Sequence, residues 1–480
     1  MNRRHHLPLP PMSRREFLAR QAGGIGGIAL AQLLGSAGTA SADGNPASSL
    51  LSRSPHHPPR AKNVIFLFMA GGPSHLDLLD PKPQMRQWDG KPAPEGMVDP
   101  TIMAGSVMAS PRVFTRRGRS GVEFSDLLPH TGALADDLCV IRSLHTDSGN
   151  HDPAQLLFNC GTQLFGHPSL GSWVNYGLGS PSEDMPGYVV LNSGKDVEAR
   201  SALAGNGFLP STYRGVTVRT ADDPILFLKN PPGIGEAAQR ARLDTLRDLN
   251  RLHLESTGDQ EIVSRIEAYE MAFRMQAAAP DLLDLSGESA ATRAGYGLDQ
   301  EDTRAFGTNC LLARRLVESG VRFVQLFHST WDDHKKLDQN LKRNCLMTDQ
   351  PAAALVRDLK QRGLLDDTLV IWAGEFGRTP MAEDHFDVGR PVKPGEEGRD
   401  HHPFAFSIWM AGGGVKGGHV HGRTDDFGYH VVEDGVHIHD LHATILHLVG
   451  LHHEQLTHRH AGRDFRLTDV AGRVVRGILA

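Results

Sequence analysis

Between positions 326 and 337 the chain reads L-F-H-S-T-W-D-D-H-K-K-L, so that an apolar run, 321–327, ends in His328, Asp332, Asp333 and His334. Two carboxylates and two imidazoles at the end of such a run suit a divalent metal. The plain alternative is a solvated loop rich in charge. The pattern recurs. The run 64–69 is followed by Ser74, His75 and Asp77, the run 138–141 by His145, Ser148, Asn150, His151 and Asp152, and the run 368–372 by Glu375 and Arg378. Asp400, His401 and His402 precede a further run, 404–410, and His419, His421, Asp425 and Asp426 form a sixth group. One such group is weak evidence, but in an open α/β sheet the carboxyl ends of neighbouring strands converge on one ligand site. His75, Asp77, Asp332, Asp333, His334, Glu375, Asp400 and His401 are therefore the expected ligands of one or two divalent ions, and zinc, calcium or manganese would suit such donors.

Ser148, His151 and Arg378 are the candidates for catalysis beside the metal. Ser148 could be a metal-activated nucleophile or a turn residue. Asn150-His151-Asp152-Pro153 reads as a helix start, with Asn or Asp as cap and Pro in the first turn, and a helix N-terminus facing strand ends holds an anion. Asn150 and Ser74 are accordingly candidate substrate contacts. The planar fork of Arg378 suits phosphate, sulfate or carboxylate, and an ion pair with Glu375 is the structural alternative. His439 and His442 are one turn apart and could share a helix face.

What must position these groups is a set of buried strands. The runs 64–69, 138–141, 321–327, 368–372 and 404–410 are continuously apolar, as strands covered on both faces are. Helical patterns lie between several of them: 303–318 stops at Gly320 and 346–362 at Gly363. Strand–helix alternation predicts an α/β fold with a mainly parallel sheet and helices on both faces. Apolar residues at helical spacing over 235–278, among them Leu243, Leu246, Leu249 and Leu252, predict a helical insertion packed on the sheet. A single domain over 61–472 is expected, after a flexible Pro/Ser/His-rich linker at 43–60.

Positions 13–18, S-R-R-E-F-L, carry a twin-arginine pattern; a Gly/Ala/Leu-rich stretch and an A-x-A cleavage site at 40–42 follow. Residues 1–42 are thus expected to be a twin-arginine signal peptide, cut near Ala42, with the export machinery as a partner and a periplasmic or other extracytoplasmic destination. Its apolar segment is too short for a stable membrane span, which takes about 20 residues. With 39% hydrophobic residues and a net charge of -6, the composition is that of a globular protein and gives no electrostatic reason to expect nucleic acid. The four cysteines show no C-x-x-C spacing, which excludes a zinc ribbon and leaves disulfides or buried thiols.

The order of NVIFLFMAGGPSHLDLLDPKP, HTDSGNHDPAQ, WDDH, GEFGRTP, GRDHHP and HDLHATILHLVGL resembles the domain of unknown function 1501 family, grouped as sulfatase-like within the alkaline phosphatase superfamily. The resemblance implies a three-layer α/β/α sandwich, one or two metal positions, and hydrolysis of phosphate or sulfate esters through a Ser, Thr or formylglycine nucleophile. WDDH resembles the superfamily's Asp-x-x-x-His ligand loop at shorter spacing, which implicates Asp332 or Asp333 with His334. Glu375 stands where the superfamily has an Asp, Phe376 where it has a His, and His401 with Asp400 could supply that imidazole. Ala70-Gly71 replaces the usual Asp after the first strand, with Ser74, His75 and Asp77 as nearest substitutes. The Cys-x-Pro-x-Arg motif is absent; His151-Asp152-Pro153 occupies a similar position, and Ser148 is the available nucleophile. The expectation is an exported metal-dependent hydrolase of a small-molecule or glycan phosphate or sulfate ester. The alternatives are a non-catalytic binder of an anionic or sulfated ligand and a metal-dependent transferase or mutase.

Overall fold

The computed structural model describes residues 52–97, 105–193, 200–218, 230, 233–259, 261–383, 385–387 and 390–480, and these belong to one compact unit, Ser48–Ala480. The expected signal peptide, 1–42, and the first part of the expected linker lie outside the described residues. The remainder of that linker is tied down: the Arg53, His56 and Arg60 N–H groups donate to the carbonyls of Leu178, Gly450 and Leu448, each at 2.8 Å.

The central sheet is built from β1 (Asn63–Met69), β2 (Leu138–His145), β3 (Tyr188–Ser193), β4 (Val216–Val218), β5 (Phe323–His328), β6 (Thr368–Ala373), β7 (Phe406–Ala411), β8 (His419–His421) and β9 (Val436–His437). Its order is β8-β2-β7-β6-β1-β5-β3-β4, with β9 also on β2. Every pairing is parallel except those of β7, which runs antiparallel to β2 and β6. The apolar runs are continuous because both faces are covered. Ile65, Leu67 and Met69 of β1 belong to one core, with Val324, Leu326, Val370 and Trp372. Val64, Phe66 and Phe68 belong to the other, with Phe327, Leu369 and Ile371. Each of these side chains adds about 1.5–3 kcal/mol through burial, an upper bound relative to a fully exposed chain.

The helices that supply the outer layers are α1 (His151–Cys160), α2 (Leu170–Leu178), α3 (Glu236–Thr257), α4 (Glu261–Leu283), α5 (Glu301–Glu318), α6 (Leu337–Gln361) and α7 (Ile438–Leu448). Residues of α4, α5 and α6 cover the first face, and residues of α1, α2 and α7 cover the second. This is a three-layer α/β/α sandwich. Helix α6 starts nine residues before the expected 346, because Leu337 and Leu341 also reach the core. The insertion does form two helices, but only α4 packs inward, through Met271, Met275, Ala279 and Leu282; α3 buries Leu243 alone. All four cysteines are buried thiols.

Candidate metal centre

Three chain segments meet above the ends of β1, β5 and β6. After β5 the chain turns at Thr330, buries Trp331 edge-to-face on Trp372, and presents Asp332. Gly71, after β1, lies so close that a Cβ on it would come within 2.4 Å of the Asp332 nitrogen, and its φ of +121° is one that side chains avoid. Arg378, wholly buried after β6, draws these segments together. Its Nε donates to the Gly72 carbonyl at 2.9 Å, its Nη1 to the Arg399 carbonyl at 2.9 Å, and its Nη2 to the Gly71 carbonyl, the Trp331 carbonyl and Asp332 Oδ1.

On this frame four side chains converge: His151 from the first turn of α1, Asp332 and His334 from the loop after β5, and His401 from the short strand His401–His402, which pairs with Gly377–Arg378. Asp332 Oδ1 lies 3.3 Å from His151 Nε2, 3.0 Å from His334 Nε2 and 3.1 Å from His401 Nε2, and the last two nitrogens are 2.9 Å apart. Each imidazole is held from behind through its other nitrogen. His151 Nδ1 lies 2.7 Å from Glu375 Oε1, His334 Nδ1 2.6 Å from Glu383 Oε2, and His401 Nδ1 2.7 Å from the Gly149 carbonyl. Glu375, fully buried, also accepts from Gly71 N–H and from Gln155 Nε2. The Phe376 ring packs on His151 and His401, with centroids at 5.1 and 4.4 Å.

These donors fit a divalent ion. Four ligands bound tetrahedrally at zinc distances stand about 3.3 Å from one another, close to the separations seen. Neutral imidazoles whose second nitrogen meets a carboxylate or carbonyl are the usual form of metal-bound histidine. The buried His151 Nε2 has no hydrogen bond of good geometry. Charge agrees. Burial opposes protonation of His151, yet the Asp332 carboxylate 3.3 Å from Nε2 and Glu375, which accepts from Nδ1, outweigh it and push the imidazole up to about 9. The same opposition, won by Asp332 and Glu383, pushes His334 up to about 9. Burial would raise Asp332, but His151, His334 and His401 hold it far below the usual carboxylate range. A divalent ion bound among these nitrogens would displace the protons that Asp332 favours on them.

The other expected ligands stand elsewhere. Of the two adjacent aspartates, Asp332 faces the centre; Asp333 is buried away from it, and burial pushes its carboxyl up to about 7. Glu375 supports His151 from behind. Asp400 is exposed, accepts from the His401 N–H at 2.7 Å, and forms a second, looser group with His334 and Glu383. His75 is buried with Nε2 at 3.1 Å from the Gly428 carbonyl, and Asp77 pairs with buried Arg399 at 3.0 Å while accepting from Ser74 Oγ at 2.5 Å. Ser74, His75 and Asp77, expected as substrate or metal contacts, are buried beneath the loops, where the short helix His75–Leu78 turns inward. Arg378 likewise is committed to carbonyls and Asp332 instead of being free for an anion. Ser148 Oγ accepts the Asn150 N–H at 3.3 Å, a turn contact, and Asn150 is the N-cap residue of α1, without a side-chain cap bond. His442 is buried with Nε2 on the Phe158 carbonyl at 2.7 Å, and His439 Nε2 lies on the Gly161 carbonyl at 2.9 Å. Glu383 and the Gly149 carbonyl escaped sequence reading; Glu383 follows no apolar run and is placed by its bridge to Gly398.

A family model described as "Protein of unknown function (DUF1501)" matches residues 61–479. No curated protein sequence matches the chain. Among solved structures, the PsFucS1 sulfatase from Pseudoalteromonas sp. is similar at 13% identity over 82% of this chain and 68% of that one, with a TM-score of 0.35. The lipoteichoic acid synthase LtaP from Listeria monocytogenes shares 10% identity over 87% and 78%, with a TM-score of 0.37. The phosphonate monoester hydrolase SpPMH from Silicibacter pomeroyi shares 12% over 87% and 76%, with a TM-score of 0.33. These are loose likenesses, and nothing in the chemistry of the centre rests on them.

Proposed function

The chain belongs to the DUF1501 family, and from that premise we propose that it is an exported metal-dependent hydrolase of a phosphate or sulfate ester. His151, Asp332, His334 and His401 would hold one divalent ion. The observation that carries the metal reading is the paired geometry of the three imidazoles: Nε2 of each turned to one oxygen of Asp332, Nδ1 of each engaged from behind. The ester is what the motif resemblance implies. A bound ion supplies Lewis acidity, polarising an ester oxygen and acidifying water.

The chain's own groups do the rest. Glu375 and Glu383 fix the orientation of His151 and His334, and the Gly149 carbonyl fixes His401. Arg378 keeps Asp332 ionised and in place. Asp332 is the half-exposed member, at 46% against 14–21% for the imidazoles, so substrate would approach from its side. In this reading water is the nucleophile, since Ser148 closes the turn into α1. The twin-arginine leader would carry the folded, metal-loaded protein out of the cytoplasm, and among the described residues no helix is long and apolar enough to cross a membrane.

A second reading has one observation in its favour: four protein donors form a closed set, as in structural metal sites. The protein would then bind an anionic or sulfated ligand without turnover. Metal-loaded protein offered aryl sulfates and aryl phosphates separates the two. Hydrolysis abolished by His334→Ala supports the enzyme, and loaded but inert protein supports the binder. Transfer of the acid group to an added alcohol would mark a transferase.

A further inference from the structure

One polar side chain interrupts the apolar face that β5 turns toward the second core: Gln325, 1% exposed, between Phe323 and Phe327. Helix α1 meets it with a polar stripe of its own. His151, Gln155 and Asn159 are spaced four apart and share a face, in a helix whose other buried residues are Ala154, Leu156, Leu157, Phe158 and Cys160. Strand and stripe are joined by a chain of hydrogen bonds. Tyr188 Oη donates to Gln325 Oε1 at 2.7 Å, and Gln325 Nε2 donates to Asn159 Oδ1 at 2.5 Å. Asn159 Nδ2 donates to the Gln155 carbonyl at 2.8 Å, and Gln155 Nε2 to Glu375 Oε1 at 2.9 Å. That same Glu375 oxygen lies 2.7 Å from His151 Nδ1. Tyr188, Gln325, Asn159, Gln155 and Glu375 are all buried, so the chain runs through the core from β3 to the candidate metal centre.

Apolar side chains at positions 159 and 325 would fill the same space with nothing polar to satisfy, and a paired buried amide adds little net stability over them. What the paired amides add is a single register. Apolar contacts between a helix and a sheet tolerate small slides and rotations. A slide of α1 by one turn, about 5.4 Å, would leave Gln325, Asn159 and Glu375 without these partners inside the core. His151, in the first turn, moves with the helix, and metal ligands must be held to within about 0.5 Å of their working geometry. We propose that Asn159 and Gln325 are positioning residues of the metal centre, a role that rests on His151 being a metal ligand. They lock the register of α1 on β5, Tyr188 fixes which way the Gln325 amide points, and His151 Nε2 is thereby held against Asp332.

Cobalt(II) titrated into the metal-free, full mature chain and followed by visible absorption tests this, with urea midpoints measured alongside. The triple variant Tyr188→Phe, Gln325→Leu, Asn159→Leu replaces the network by apolar side chains of similar volume. It is expected to keep or raise the urea midpoint, while cobalt affinity falls about tenfold or more and the visible bands shift. Leu157→Ala, on the opposite side of α1 from the stripe, is expected to do the reverse: a lower midpoint with affinity and bands unchanged. Tyr188→Phe alone removes one hydroxyl, is expected to weaken cobalt binding about threefold, and reports on the network even if the triple variant does not fold. Wild-type affinity and bands in the triple variant, or in Tyr188→Phe, overturn the positioning role and leave the centre standing. So does a loss in Leu157→Ala as large as in the triple variant, since stability alone would then explain it. Wild type that takes up no cobalt overturns the metal reading itself, and this role with it.

Discussion

The carboxyl groups behind the imidazoles are where the centre is most open to test. Glu375 is fully buried and holds His151, whereas Glu383 is 17% exposed and holds His334. Glu375→Gln keeps the shape but removes the charge that steadies a metal-bound imidazole. It should weaken metal affinity by about 10–100-fold, with Glu383→Gln costing less because water can replace it. Competition against a chromophoric chelator measures both, and unchanged affinity in Glu375→Gln would detach that residue from the centre. At this scale the sequence was informative about residue types and poor about orientation. Asp332 and Asp333 look alike in W-D-D-H. They differ because Trp331 is anchored in the core, so that Asp332 meets Arg378 while Asp333 turns under the loop. Arg378 looked like an anion clamp because nothing local shows that five backbone and side-chain acceptors from Gly71, Gly72, Trp331, Asp332 and Arg399 surround it.

At the scale of elements, the strands were legible, because burial on both faces writes itself as an unbroken apolar run. The strand-end rule placed Asp332, His334 and Glu375 near one another; His401 precedes its run and joins them because β7 is antiparallel to its neighbours. Three further elements misled for a shared reason. The start of α6, the inward turn of His75–Leu78 and the outward face of α3 all depend on what packs against them, which periodicity does not reveal. Loop contact also depends on Gly71. Gly71→Ala would force a Cβ against the Asp332 backbone at a φ of +121°, so it should destabilise the protein by about 2 kcal/mol or more and displace Asp332. Urea unfolding together with metal binding checks this, and a neutral effect on both would mean that the two loops do not touch.

Across the whole molecule, buried neutral histidines set a response to acid. Burial, above all, holds His75 at about 4 and His402 and His442 at about 3. Their folded values lie below the unfolded value of about 6.5, so the stability they confer is complete above that pH and is lost as pH falls toward 4. Urea midpoints should drop steadily over that window, and the double variant His75→Gln, His442→Gln should be weaker at neutral pH yet lose less on acidification. A flat profile for wild type would contradict this. The proposed leader belongs to the same scale. Mass spectrometry of exported protein should find a mature chain beginning at Asp43, and replacing Arg14 and Arg15 by Lys should leave the precursor in the cytoplasm; export unaffected by that change would discard the twin-arginine reading.

The most direct test of the central claim is elemental analysis of the mature protein beside a His151→Ala, His334→Ala, His401→Ala variant that remains folded by circular dichroism. About one equivalent of a divalent transition metal in the wild type, and none in the variant, is the predicted result. No metal in either, or equal metal in both, would contradict it and leave Asp332 as no more than a hydrogen-bonded carboxylate among three imidazoles and an arginine.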